Sequence, residues 1–538
     1  MKRLFVILSF FSALAFAQVD QPKLVVGIVV DQMRFDYINR YWDDYSDGGF
    51  KRLVSEGYNC TNTHFNYIPT YTGPGHASIY SGATPSSHGI ISNSWYDREI
   101  EEYSYCVSDA EMNTVGAENG SGKMSPSKML NTTFGDELRL FTMNRSKVIA
   151  VAMKDRSAVL PAGHMGNFAF WLDSETCDFV SSSYYGPRLP KWAQKFNKKD
   201  LCEEYLSQKW ELLLPSKRYD ESLVDNSAYE GAFAGEKYPK FPHDLPSLIE
   251  HNGKGLIKGT PFGNSLTKDM AIAAIEGENL GEDEYTDLLA VSFSSTDYVG
   301  HQFGTDAKEI QDTYLRLDRD LESFLRYLDE NLGKENVLVF LTADHGAVRT
   351  PAYLKDRNIP AGYFEAEEPI RELKQFLQNI YGFGDWVKTY GDAQIFLNRD
   401  LIFEKYLSLE EVQQQTADFM LRFDGVQKAV TGRTLEMNEF DTGVLACLQK
   451  GFNQKRSADV FLVLDPAWIE YSHTGTTHGS GYTYDRHVPL IWYGWKVKAG
   501  DTREKVAISD IAATVSSLLG ISFPNGSEAN VISIPLSE

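Results

Sequence analysis

Cysteine is scarce in this chain: five residues among 538, at Cys60, Cys106, Cys177, Cys202 and Cys447. They are too few for a disulfide-built scaffold and too scattered for a thiolate metal site, and the odd number leaves at least one unpaired. An oxidising compartment allows one or two disulfides, but the sequence does not assign them. Basic residues are also in deficit, 52 Lys and Arg against 74 Asp and Glu, for a formal net charge of −22. That balance disfavours a nucleic-acid-binding surface, and an anionic small substrate would need positive charge concentrated at its site. Beyond the N-terminus no stretch approaches the roughly 18 apolar residues that a membrane span needs, so none is expected. Internal repeats and long low-complexity segments are missing too. With 42% hydrophobic and 23% charged residues, the composition suits a globular protein, one large domain with insertions or two to three domains. A monomer is expected.

Residues 1–17 read as a secretory signal peptide. Lys2 and Arg3 form the charged start, an apolar run follows, and Ala15-Phe16-Ala17 is a small-x-small cleavage site before Gln18. The mature chain, 18–538, is therefore expected to be exported, periplasmic or secreted. Losing Lys2 and Arg3 makes its net charge two units more negative still.

Four apolar, β-branched runs, at 23–30, 147–153, 288–293 and 336–341, read as strands buried on both faces. They stop at Asp31, at Lys154-Asp155-Arg156, before Asp297, and before Asp344-His345. Helical patterns lie between them, such as 310–328. Alternation of this kind predicts an α/β fold, a mostly parallel central sheet flanked by helices. Ligands of such sheets bind beyond the carboxyl ends of the strands, which gathers the charged strand ends at one place. Two segments fit the alternation poorly, about 170–257 and about 350–476, the second with a polar helix near 410–423. Both are expected to be inserted cap segments at the sheet edge.

Thr72-Gly73-Pro74-Gly75-His76 places a hydroxyl where a short apolar helix opens. The ordinary reading is a helix cap. The same position favours negative charge, through unpaired N–H groups and the helix dipole, and so suits a nucleophile. Asp297 and His301 are four residues apart, on one face if the segment turns helically. Asp344-His345 supplies a second carboxylate and imidazole, Asp31 a third carboxylate, and His478 sits in a Gly-rich loop before another apolar run at 488–492. Three Asp and three His offer enough N and O ligands for two zinc-type ions. His64, His76, His88, His164, His473 and His487 are expected to be structural.

Taken together, Asp31, Thr72-Gly-Pro-Gly-His, Asp297-x-x-x-His301, Asp344-His345-Gly and His478-Gly resemble the alkaline phosphatase superfamily, over most of the mature chain. The resemblance is to its secreted, phosphate-irrepressible bacterial branch with a Thr nucleophile. It implies two Zn²⁺ ions, the first held by Asp297, His301 and His478, the second by Asp31, Asp344, His345 and Thr72. It further implies that Asn93, Lys154 and Arg156 contact phosphate, and that the N–H after Thr72 does so as well. Mg²⁺ is not predicted, and the sequence does not decide whether a third ion binds. Two Zn²⁺ balance three carboxylates and an ionised Thr72, so Lys154 and Arg156 would match the charge of a phosphate monoester dianion. The implied activity is hydrolysis of small-molecule phosphate monoesters through a phospho-threonine. A phosphodiesterase or nucleotide pyrophosphatase of the same superfamily is the alternative, and a non-catalytic exported binding protein is the alternative of another class. The Thr72 segment lacks the Cys/Ser-x-Pro-x-Arg motif of sulfatases, and export disfavours a phosphoglycerate mutase relative.

Overall fold

The computed structural model describes residues 21–537, and the expected signal segment at 1–17 lies outside them. The first apolar run forms strand β1, Leu24–Val30. The others form β2, Val148–Ala152, β3, Asp287–Phe293, and β4, Val337–Thr342. All four are buried at every position, which explains why their sequences do not alternate. They lie side by side in the order β4-β1-β3-β2, parallel throughout, at the centre of a ten-stranded sheet. Phe168–Leu172 adds a fifth parallel strand beside β2. Antiparallel strands flank this centre, with β5, Leu490–Gly494, beside β4 and Phe179–Ser182 on the other side.

Helix α1 spans Thr72–Ser81, α2 Asp155–Ala162, α3 Ser295–Phe303 and α4 Lys308–Asn331. Every residue of α1 is buried. Two glycines let it reach its place. A Cβ on Gly27 of β1 would fall 2.5 Å from the Tyr80 hydroxyl, and one on Gly75 would fall 2.6 Å from the Asp344 carbonyl oxygen. Thr72 is thereby held against the end of β4.

The segment 350–476 builds a four-stranded antiparallel sheet of its own from Val387–Gly391, Gln394–Leu397, Val460–Leu464 and Val426–Thr431. A separate apolar core that includes Trp386, Val412 and Met420 holds it, and its polar helix is Leu409–Met420. The segment 170–257 departs from the expectation of an insertion outside the sheet. Its first part supplies Phe168–Leu172 and Phe179–Ser182, two strands of the main sheet, too short to stand out among the surrounding aromatics. Short helices follow, and a Cys177–Cys202 disulfide ties them back to this edge. Cys60, Cys106 and Cys447 are buried and free.

Candidate functional site

The parallel strands β4, β1, β3 and β2 deliver Asp344 and His345, Asp31, Asp297, and Lys154 to one edge of the sheet, where all five side chains are buried. The helical turn expected around Asp297 is α3, and it brings His301 Nε2 within 3.2 Å of Asp297 Oδ1. The loop before β5 adds His478, with Nε2 3.7 Å from the same oxygen. His345 stacks face to face on His478, ring centroids 3.4 Å apart, and its Nε2 lies 3.4 Å from Asp31 Oδ1 and 3.6 Å from Asp344 Oδ2.

Two compact groups of potential ligands result, Asp31/Asp344/His345 and Asp297/His345/His478, each with its donor atoms within 4.8 Å of one another. The first is the expected second-ion set without Thr72. The second has His345 where His301 was expected, because the ring stack carries His345 to both groups; His301 stays at the rim, beside Asp297.

The donor chemistry fits divalent cations. Each of the three histidines directs Nδ1 at a backbone carbonyl: His301 at Thr476, His478 at Thr70, His345 at Gly346, over 2.7 to 3.0 Å. With Nδ1 engaged there, Nε2 is the atom turned toward the carboxylates, the arrangement a metal ligand needs, while at His301 burial is outweighed by Asp297, which raises it above its usual value. Burial keeps His345 and His478 neutral, lowering the former to about 3 and the latter well below its usual value. Asp31 is raised well above the carboxylate range by burial and by repulsion from Asp297 and Asp344, and burial raises Asp344 to about 7. Asp297 moves the other way: burial works against its charge, but His301 and Lys154 outweigh it. Asp31 Oδ1 and Asp344 Oδ2 receive no hydrogen bond among the described residues, and Asp31 Oδ2 meets only the Lys154 ammonium. Three buried carboxylates beside one ammonium call for more positive charge.

Thr72 is the first residue of α1. The cap position itself is taken by Tyr71, and the Thr72 hydroxyl makes no capping hydrogen bond. The ordinary reading of a Thr cap therefore does not hold. Its Oγ1 instead lies 3.5 Å from His345 Nε2 and 3.5 Å from Lys154 Nζ. Lys154 spans the site, with Nζ 2.6 Å from both Asp31 Oδ2 and Asp297 Oδ2. Arg156 is fixed by the Tyr105 hydroxyl, 3.1 Å from Nη1, while its Nε is buried without a partner among the described residues. Asn93 sits beside Thr72, but in an unexpected relation: its Oδ1 accepts the Gly73 N–H at 2.8 Å. The backbone N–H expected to face phosphate is thus already engaged, and the remaining donor of this pair is the Asn93 amide.

Sequence reasoning missed three residues. Gln32 donates to Asp297 and Asp344 from a left-handed backbone, φ 61°. Tyr105 positions Arg156, and the Tyr298 ring lies 5.2 Å from Lys154 Nζ. Only Tyr298 carried a signal, lying between Asp297 and His301. The histidines expected to be structural stay out of the two groups. His76 comes nearest, 3.5 Å from Asp344, but is bonded to the Thr72 carbonyl and to Ser292. His473 packs on Tyr363.

Residues 25–487 match the Type I phosphodiesterase / nucleotide pyrophosphatase family. The chain belongs to this family. As a member of it, the chain is similar to alkaline phosphatase PafA of Elizabethkingia meningoseptica, 42% identical with 94% of this chain and 93% of that protein covered. Alkaline phosphatase PhoV of Synechococcus elongatus is 43% identical, with 96% and 93% covered. A Myroides odoratus protein named a calcium-transporting ATPase is 44% identical, with 98% and 96% covered. Among the described residues of this chain, no helix is long and apolar enough to cross a membrane. A crystal structure of wild-type PafA superposes with a TM-score of 0.92 at 40% identity, covering 96% of this chain and 99% of that one. The alkaline-phosphatase-like α/β architecture follows from that match.

Proposed function

We propose that this chain is an exported alkaline phosphatase that hydrolyses small phosphate monoesters, with Thr72 as nucleophile and two zinc ions as cofactors. The observation that carries the reading is the Thr72 hydroxyl, freed from capping and set beside two buried ligand groups and the Lys154 ammonium. Asp297, His301 and His478 would hold one ion, and Asp31, Asp344, His345 and Thr72 the other. When bound, the ions supply Lewis-acid stabilisation to oxygens that gain negative charge.

The chain's own residues account for the rest. Thr72 Oγ1 attacks phosphorus as the ester P–O bond breaks, which releases the alcohol and leaves phospho-Thr72. Water then cleaves that phosphoester, returning the hydroxyl and releasing inorganic phosphate. Lys154 favours the ionised hydroxyl before attack and faces the phosphoryl oxygens after it. The Arg156 fork suits two phosphoryl oxygens at once. Asn93 holds the first peptide of α1 through Gly73 and offers its amide to a third oxygen.

A diesterase reading has one specific support, the family description itself. The paired cations argue for monoesters, since a diester monoanion needs only one of them. Export is supported by the N-terminal segment and by the Cys177–Cys202 disulfide, a bond of oxidising compartments. The deciding experiment is a chromogenic phosphate monoester at alkaline pH, with a diester and a sulfate ester alongside. Preferential release from the monoester is expected; no turnover of it would refute the proposal.

A further inference from the structure

A cavity of about 460 Å³ opens beside the ligand groups and meets them at His301 and His478. On the phosphomonoesterase reading, on which this inference rests, this space beside His301 and His478 is the one open to the alcohol part of the ester. Its walls mix polar side chains with apolar and aromatic ones, Trp468 among them, and no Lys or Arg of the described residues lines it. Asp392, Glu470 and Asp485 do.

Two further observations point to a ligand that brings hydrogen-bond donors. Asp485 Oδ1 and Gln394 Oε1, on cavity-lining residues only 1% and 7% exposed, have no partner among the described residues. A buried acceptor left unsatisfied is costly, and a donor-bearing ligand removes that cost. The mouth is built with similar care. Asp392 and Ala393 form the two-residue tip of the cap hairpin, both in the left-handed region at φ 53° and 56°, where alanine is strained. That tip sets the Asp392 carboxylate against the hydroxyls of Ser92, at 2.7 Å, and Tyr71, at 3.4 Å, next to Thr72 in sequence. Glu470 is held deeper by the Ala393 N–H at 3.2 Å and by the Tyr390 hydroxyl. Asp392 and Glu470, with unpaired acceptors and aromatic faces and no Lys or Arg in the lining, make a receptor for an ammonium group, whereas Asp485 already interacts with Arg34.

We propose that this cavity is a leaving-group subsite for cationic alcohols, so that amino-alcohol phosphates are preferred over monoesters whose alcohol part is neutral or anionic. The test compares kcat/KM of the zinc-loaded enzyme for phosphocholine, for its uncharged carbon isostere 3,3-dimethylbutyl phosphate, and for 3-phosphooxypropanoate. Preference in that order is expected. The phosphocholine-to-isostere ratio should fall by about tenfold in Asp392→Asn/Glu470→Gln and by about threefold in Asp392→Asn alone, an exposed-tip change that spares the fold. Dividing by the isostere rate of the same variant removes differences in folding and in leaving-group chemistry. A wild-type ratio near unity, or one that neither variant changes by more than about twofold, overturns the subsite. Failure of the wild type to hydrolyse any of the three esters overturns the phosphomonoesterase reading instead.

Discussion

Gln32 donates its side-chain amide to Asp297 Oδ1 at 2.8 Å and its backbone N–H to Asp344 Oδ1 at 3.2 Å. One residue therefore orients a carboxylate of each ligand group. It packs so closely on α3 that a Cβ on Gly300 would meet its Oε1 at 1.9 Å. Supporting bonds of this kind tune metal affinity without touching the metal. Gln32→Leu is expected to weaken zinc binding by about 10- to 100-fold in competition with a chromogenic chelator. Unchanged affinity would show that the Asp297 orientation is set elsewhere.

What the sequence made legible, and what it hid, follows from this contrast. Asp31, Lys154, Asp297 and Asp344 could be gathered on paper because each ends an unbroken apolar run, and parallel strands bring such ends together. Gln32 follows Asp31 directly yet gives no sign of its role, since that role depends on a positive φ that no pattern encodes. The Gly73–Asn93 bond and the Tyr105–Arg156 pair join segments distant in sequence, so spacing says nothing of them. Thr72 was legible as a helix-start residue, but whether its hydroxyl caps the helix or faces the ligands depends on one residue of offset, with Tyr71 in the cap position. Residues 170–257 misled because strands of five and four residues among aromatics look irregular.

Thr72→Ala should lower turnover of a phosphate monoester by at least about 10³-fold, because no other hydroxyl replaces the covalent step. Thr72→Ser, which keeps an oxygen nucleophile, should retain measurable activity. Zinc content, read by plasma emission spectrometry, should persist in both. A Thr72→Ala enzyme with near wild-type turnover would exclude the phospho-threonine.

Chelation should abolish activity, and zinc should restore it at a stoichiometry of two per chain. Removing divalent charge leaves Asp31, Asp297 and Asp344 buried around Lys154 alone. Ligands that bind only the folded chain stabilise it, so the chelated protein should melt several degrees lower. Scanning calorimetry with and without zinc checks this. A metal-free enzyme of full activity would refute the zinc assignment.

Away from the site, His243 is buried between two carboxylates, Nδ1 2.8 Å from Glu236 and Nε2 3.2 Å from Glu309. Burial opposes its charge, but the bonds to Glu236 and Glu309 prevail and raise it from 6.5 to about 9. A folded pKa above the unfolded one gives stability that is full below pH 6.5 and is lost as the pH rises through about 9. Urea unfolding of the wild type should therefore show stability falling across that window, by at most about 1.4 kcal/mol per pH unit from this group. His243→Asn should flatten the fall. Equal slopes in the two proteins would show that His243 carries no linked proton.

On the monoesterase reading, Lys154 and Arg156 supply the charge that matches a phosphate dianion. The most direct measurement is kcat/KM of the wild type and of Lys154→Ala/Arg156→Ala for p-nitrophenyl phosphate and bis-p-nitrophenyl phosphate, with zinc content confirmed. The double change should lower the monoester value by about 10³-fold or more while the diester value shifts by less than about tenfold. Equal losses on both substrates, or a wild type that prefers the diester, would contradict it.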